Sequence, residues 1–412
     1  MRKLSLEYMS LMMSFACSID DRRFGRNVWH HVVVLLVVAS MSALFLFIGT
    51  ARASSDASSD ASLVEDAAAH KKIDQSFRSV RIPVYYVTDR EAERHNQLYY
   101  SNQRSDHLDY GSVNVLVTIP KAQRQSTPKS AEPVNWTDET YDVGDKPEVE
   151  HAERVESAEK FYEAVEKARQ VAPNKQILVY VHGYSMDFDK PLRTAGLLAY
   201  NLQMPVVAFS WPSKHNALAY SADECNAEWS TMDFESVLQE LSNRFGRESI
   251  TVVGHSLGCR IVTWAVKSIS DKSRQSSEQL FQHIFFFSPD IDTQTFRRYS
   301  DYMEHAAHDV KIFVSAKDVR LGVSHILHGY SRLGRPSSSK RDNLFAIHGI
   351  ETIDFTAIDK GVGHNIPYPL LNEIMSHSNE PFGIEVVRRE PGLDNLHSDL
   401  VKVVKAHAHT QL

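Results

Sequence analysis

The chain has 412 residues, 42% of them hydrophobic, and a formal net charge of -7 at pH 7. It is long enough to bury a sizeable core in one large domain or two smaller ones. Its acidic balance, with no basic patch interleaved with aromatics, argues against a nucleic-acid partner. The three cysteines, Cys17, Cys225 and Cys259, fit no zinc spacing and are too few for a disulfide scaffold.

The opening stretch is polar and carries Arg2, Lys3, Arg22, Arg23 and Arg26. Val32 to Gly49 is then almost wholly apolar and uncharged. That is about the length that crosses a bilayer. Two readings follow. The segment is a signal peptide, with a small-x-small cleavage site at Ala51-Arg52-Ala53, or an uncleaved signal anchor with the basic terminus in the cytoplasm. Either way the rest is expected to be exported, membrane-anchored or else periplasmic or secreted after cleavage. Residues 1–53 are thus a targeting segment. Residues 54–75 read as a flexible Ser/Ala/Asp spacer. The main domain is expected over 76–380, followed by a tail over 381–412.

Arg81 to Thr88 and Gly111 to Ile119 read as strands. Pro120 to Glu150 is polar and broken by prolines, hence a long surface loop; it holds Asn135-Trp136-Thr137, a sequon in form. Val155 to Val171 has helical periodicity. Gln176 to Val181 reads as a buried parallel strand ending in His182-Gly183-Tyr184. A helix over Lys190 to Leu202, a strand over Pro205 to Phe209 and a long helix over Asp223 to Phe245 follow. Further strands are expected at Ile250 to Val253, Gln282 to Phe287, Val310 to Ser315 and Gly349 to Phe355. Strands alternating with helices imply an α/β fold, with a mostly parallel sheet and helices on both faces. Reactive groups in such sheets sit at the carboxyl ends of strands.

The most informative stretch is Gly254-His255-Ser256-Leu257-Gly258, set between an apolar run and a helix-compatible segment. G-x-S-x-G in that setting is the nucleophile-elbow pattern. The turn is too tight for side chains beside the serine, and it exposes the hydroxyl at the N-terminus of a helix, where negative charge is favoured. Cys259 just beyond reads as a small buried thiol.

A serine needs a base, and the base needs a carboxylate to hold its tautomer. The order Ser, acid, His is met by Ser256, Asp318 and His364, each after an expected strand. Asp290 and Asp292 follow an earlier strand and compete for the acid role; an unused carboxylate there would cap a helix. The oxyanion donors are expected at the backbone N–H groups of Leu257 and Tyr184. Trp211 and Tyr220 are candidates for the substrate pocket, with a core tryptophan and a helix-capping segment as the alternatives. His182 reads as a structural loop residue and His255 as a packed one. His397, His407 and His409 in the tail match no ligand spacing and read as solvated.

These motifs together resemble the α/β-hydrolase branch catalogued as domain of unknown function 900. The resembling segments are V-Y-Y-V-T-D-R, G-S-V-N-V-L-V-T-I-P, V-Y-V-H-G-Y, F-S-W-P-S with Y-S-A-D, G-H-S-L-G, S-P-D-I-D, V-S-A-K-D with Arg320-Leu321, and I-D-F before Gly363-His364. They cover about Arg81 to Tyr368. The resemblance implies an eight-stranded, mostly parallel sheet and a serine-hydrolase triad on Ser256, Asp318 and His364. It implies no metal and no organic cofactor. The expected activity is hydrolysis of a small-molecule or lipid ester through an acyl-enzyme. The alternatives are a catalytically vestigial binding module, or a peptidase or thioesterase.

Overall fold

Strand β1, Phe77–Ala92, folds back on β2, Tyr100–Pro120, in an antiparallel pair running from Phe77 opposite Pro120 to Ala92 opposite Tyr100. The computed structural model describes residues 77–371, apart from 94–99, 121–146, 151, 217, 274–279, 337–346, 348, 357–358, 360, 362 and 369–370, together with 402–404. All of these belong to one compact unit, Ser76–Leu412. The apolar segment over residues 32–49, the spacer, the sequon and the tail histidines lie outside the described residues. Among the described residues, no helix is long and apolar enough to cross a membrane.

Both hairpin strands are longer than their apolar patterns. The added lengths are polar, and cross-strand pairing, rather than one-sided burial, keeps them extended. Two-residue strands β3, Glu148–Val149, and β4, Glu153–Arg154, pair antiparallel with β2. Helix α1, Ala158–Val171, starts later than its periodicity implies, because Ser157 caps it by accepting from the Lys160 N–H.

The chain then alternates: β5 Ile177–Val181, α2 Asp189–Leu202, β6 Val206–Ser210, α3 Tyr220–Trp229, α4 Thr231–Phe245, β7 Ile250–His255, α5 Gly258–Ser273, β8 Phe281–Phe287, α6 Thr293–Ala306, β9 Ala307–Val314, α7 Val319–His328 and β10 Glu351–Asp354. The single helix expected over Asp223 to Phe245 is two, broken at Ser230. Thr231 Oγ1 donates back to the Ala227 carbonyl at 2.9 Å, a bond that bends helices.

With β11, Lys402–Val404, the sheet among the described residues has eleven strands, in the order β11-β10-β9-β8-β7-β5-β6-β1-β2-β3, with β4 also on β2. Strands β1 and β5–β10 pair parallel with one another; the pairs made by β2 and β11 are antiparallel. The sheet is therefore mixed. The eight strands expected correspond to β1, β2 and β5–β10; β3, β4 and β11 are two or three residues long, too short for a periodic signal. Strand β11 lies within the stretch expected as a tail and pairs with Thr352–Asp354.

Apolar side chains leave the sheet on both faces. On one, Val179, Phe209, Val252 and Phe286 meet Phe161, Phe234, Leu238, Ile261 and Phe296 of α1 and α4–α6. On the other, Tyr180, Ala208, Val253 and Phe285 meet Leu192 and Leu198 of α2. This alternation along single strands is the period-2 geometry of a sheet covered on both sides. β5 lies between β6 and β7, so the chain reverses its winding there. The crevice at the carboxyl ends of β5 and β7 is where such sheets bind ligands.

Candidate active site

Ser256 follows β7 directly and sits at φ +53, a left-handed conformation that costs a serine energy. Its backbone is locked on both sides. The Ser256 N–H donates to the Phe287 carbonyl (2.9 Å), and the Ser256 carbonyl accepts from Asp290 and Cys259 (3.1 Å each). Gly258 opens α5 against the end of β5, where an added Cβ would lie 2.2 Å from the His182 carbonyl oxygen. Only glycine lets the helix N-terminus come so close, and that terminus brings partial positive charge toward the serine. Cys259 is buried beside it and Cys225 is exposed; both are free thiols.

Asp318 and His364 meet, although they lie 46 residues apart in the chain. Asp318 is the N-cap of α7: its Oδ1 accepts from the Leu321 N–H at 2.8 Å. Its Oδ2 accepts from His364 Nδ1–H, also at 2.8 Å, and both side chains are buried. The histidine loop reaches Asp318 because Gly363, at φ +82, can press its Cα side against the Asp318 backbone; an added Cβ would lie 2.2 Å from the Asp318 nitrogen. Ser288 Oγ donates to the Gly363 carbonyl at 3.3 Å. Upstream, Asp359 accepts from Ser315 Oγ and from the Gly361 N–H at 2.9 Å each.

His255 adds a contact that sequence reasoning missed. Its Nε2–H donates to the His364 carbonyl at 2.9 Å, and the two rings lie 5.0 Å apart. Burial, and next the neighbouring His364, push its pKa down to about 3. The His255 ring is therefore neutral at any working pH, and its one N–H serves to hold the histidine loop against the elbow. Position x of G-x-S-x-G carries no signal for this, since a packed ring reads the same.

The competing carboxylates are engaged elsewhere. Asp292 caps α6, accepting from the Thr295 N–H (2.7 Å) and Thr295 Oγ1 (2.8 Å). Asp290 accepts from Tyr220 Oη (2.5 Å) and Ser324 Oγ (2.7 Å), with Arg332 Nε at 3.4 Å.

The loop after β5 lies over the serine: a Cβ added to Gly183 would sit 2.8 Å from Ser256 Cβ. Among the described residues, the N–H groups of Leu257 and Tyr184 donate to no acceptor. The next two are taken, Ser185 N–H by Asp223 Oδ2 (2.9 Å) and Met186 N–H by Ser213 Oγ (3.0 Å). The Tyr184 ring meets Tyr220 edge-on at 5.2 Å, so both half-buried aromatics line this side. Trp211 does not. It is fully buried, stacked on His182 at 5.0 Å, and its Nε1–H donates to the His182 carbonyl at 2.8 Å. The pocket expectation for Trp211 is thus corrected to a core role. His182 is buried as well, and burial drives its pKa well down.

Asp89, near the end of β1, is fully buried, and among the described residues neither carboxylate oxygen has a hydrogen-bond partner. Burial raises its pKa to about 7, with Asp233 pushing the same way. Unfolded, it ionises near 4. Between those values the unfolded chain is ionised and the folded one is not, so stability falls as pH rises from about 4 to 7 and is level above. Asp89→Asn removes this dependence. Measured by denaturant unfolding, its advantage over the parent is expected to grow by roughly 3–4 kcal/mol from pH 4 to pH 8. A difference independent of pH would mean that Asp89 ionises normally.

A mixed sheet covered on both faces, a strand–serine–helix elbow in its crevice and an aspartate–histidine pair after later strands define an α/β hydrolase. The chain belongs to the family described as alpha/beta hydrolase of unknown function, domain of unknown function 900, whose model matches residues 156–374. The hairpin motifs V-Y-Y-V-T-D-R and G-S-V-N-V-L-V-T-I-P precede that match. No curated protein matches significantly. Similar solved structures include the monoclinic form of an esterase from Pyrobaculum calidifontis, at 9% identity and TM-score 0.24, covering 61% of this chain and 71% of that one. A second structure of a hyperthermophilic esterase from that archaeon has 13% identity and TM-score 0.20, with coverages of 34% and 57%. Oligopeptidase B from Leishmania major has 12% identity and TM-score 0.23, with coverages of 60% and 39%. Likenesses this distant say nothing about activity.

Proposed function

We propose that this domain is a serine hydrolase that cleaves carboxylic esters through an acyl-enzyme. His364 takes the proton of Ser256 Oγ as that oxygen bonds to the ester carbonyl carbon. Asp318 holds the imidazole with Nδ1–H toward itself and stabilises the imidazolium. The N–H groups of Leu257 and Tyr184 receive the developing oxyanion, each such donor being worth about 3 kcal/mol. The protonated His364 then gives its proton to the leaving alcohol, and water repeats the cycle on the acyl group. The observation carrying this reading is the buried Asp318–His364 hydrogen bond, tied through His255 to the elbow that holds Ser256.

The apolar Val32 to Gly49 segment supports a further proposal, that the domain works exported or membrane-attached, on a soluble or lipid ester. A fluorophosphonate needs an activated serine and no known substrate. Full-length protein is expected to be labelled once, on the peptide holding Ser256. Folded protein that takes no label and hydrolyses no p-nitrophenyl ester would instead be a vestigial module.

A further inference from the structure

Arg90 is an unusual cation: it is fully buried, yet its hydrogen bonds go to neutral groups. Its Nε donates to Ser210 Oγ (3.0 Å), and its Nη1 to Asn102 Oδ1 (2.6 Å) and more loosely to the Ser101 and Ser213 carbonyls (3.4 and 3.5 Å). Its Nη2 donates to the carbonyls of Met186 (3.1 Å) and Asp187 (3.3 Å), in the loop after β5. Burial lowers its pKa only to about 10, so it stays charged. The same loop is gripped from the other side by Asp223. Its Oδ2 accepts from the Ser185 N–H (2.9 Å) and Ser213 Oγ (2.6 Å), and its Oδ1 from the Lys214 N–H (2.7 Å). Ser213 Oγ in turn accepts from the Met186 N–H.

The two carbonyls that Arg90 Nη2 takes and both N–H groups held through Asp223 and Ser213 belong to the three residues after Tyr184. Ser185 is held at φ +59, which it would leave if the grip were released. The Tyr184 N–H follows Gly183, the residue that lies over Ser256, and among the described residues it donates to no acceptor.

We propose that Arg90 and Asp223 are positioning residues: a two-sided clamp that fixes the loop after β5 so that the Tyr184 N–H is aimed at the oxyanion before substrate arrives. This rests on the hydrolase reading above. The clamp acts on the transition state more than on ground-state binding, because a misaimed donor loses contact mainly with the charge that develops there.

The test uses full-length protein, a short-chain p-nitrophenyl ester, and fluorophosphonate titration to count active sites. Arg90→Met and Asp223→Asn are each expected to lower kcat per labelled site by about 10- to 100-fold, as a donor misplaced by about 1 Å would. KM should change by less than about threefold, while affinity for a trifluoromethyl ketone ester analogue falls in parallel with kcat. Arg90→Lys should recover part of the loss, since an ammonium can reach one carbonyl but not two. If Arg90→Met does not fold, Arg90→Lys and Asp223→Asn carry the comparison. Unchanged kcat per labelled site and unchanged ketone affinity, with only a lower melting temperature, would overturn the clamp and leave a structural role. Turnover that survives Ser256→Ala would instead overturn the hydrolase reading itself.

Discussion

Alanine at position 256 is expected to lower kcat on a p-nitrophenyl ester by about 10⁶-fold, with little change in fold. The packing argument for an intact fold is direct. Alanine keeps the Cβ that Gly183 packs against and loses only the hydroxyl. The left-handed backbone at 256 is set by the Phe287, Asp290 and Cys259 backbone hydrogen bonds, none of which uses the side chain. His364→Ala should cost a similar factor, because a serine without its base is as inert as no serine. Ser256→Ala combined with His364→Ala should then be no worse than either alone, since groups that act as one unit are not additive. Initial rates under saturating substrate, beside circular dichroism of each variant, decide it. Equal turnover in the parent and Ser256→Ala would end the mechanism proposed here.

Asp318→Asn is the second large effect, expected at about 10⁴-fold in kcat. An amide at 318 can still present an oxygen to the Leu321 N–H and keep the cap of α7. What then faces His364 Nδ1 is an NH₂ group, donor against donor. The ring relieves this by moving its proton to the other nitrogen, which can no longer accept the serine's proton. Asp290→Asn is the control. Its carboxylate answers Tyr220, Ser324 and Arg332, so its loss should lower the melting temperature while kcat changes by less than about tenfold. The reverse ranking would place the acid on Asp290.

The parts of this molecule that could be read from the sequence are those whose surroundings repeat along the chain. β5 to β9 are covered on both faces, and so they stand out as apolar runs. The elbow is legible because its glycines answer a steric demand local to a few residues. The order of Ser256, Asp318 and His364 pointed to the pair that the fold brings together. Other features depend on partners far away in sequence. Arg90, near the end of β1, carries no signal along the chain of the Met186 and Asp187 carbonyls that receive it. Trp211 was equally consistent with a pocket and with core, and only the stacking on His182 separates the two. The outer halves of β1 and β2 are polar and hold their shape through each other, which no one-strand pattern reveals.

The buried guanidinium also sets an order of events during synthesis. Arg90 leaves the ribosome 96 residues before Met186 and 120 before Ser210. At about 5–20 residues per second that is a wait of roughly 5–24 s. Throughout it β1 lacks β6, the strand that its outer edge in the hairpin must join. A charge that is costly to desolvate alone keeps that hairpin edge hydrated, and so shields it from premature pairing with a neighbouring nascent chain. The same arginine becomes easy to bury only when the carbonyls that receive it have been made.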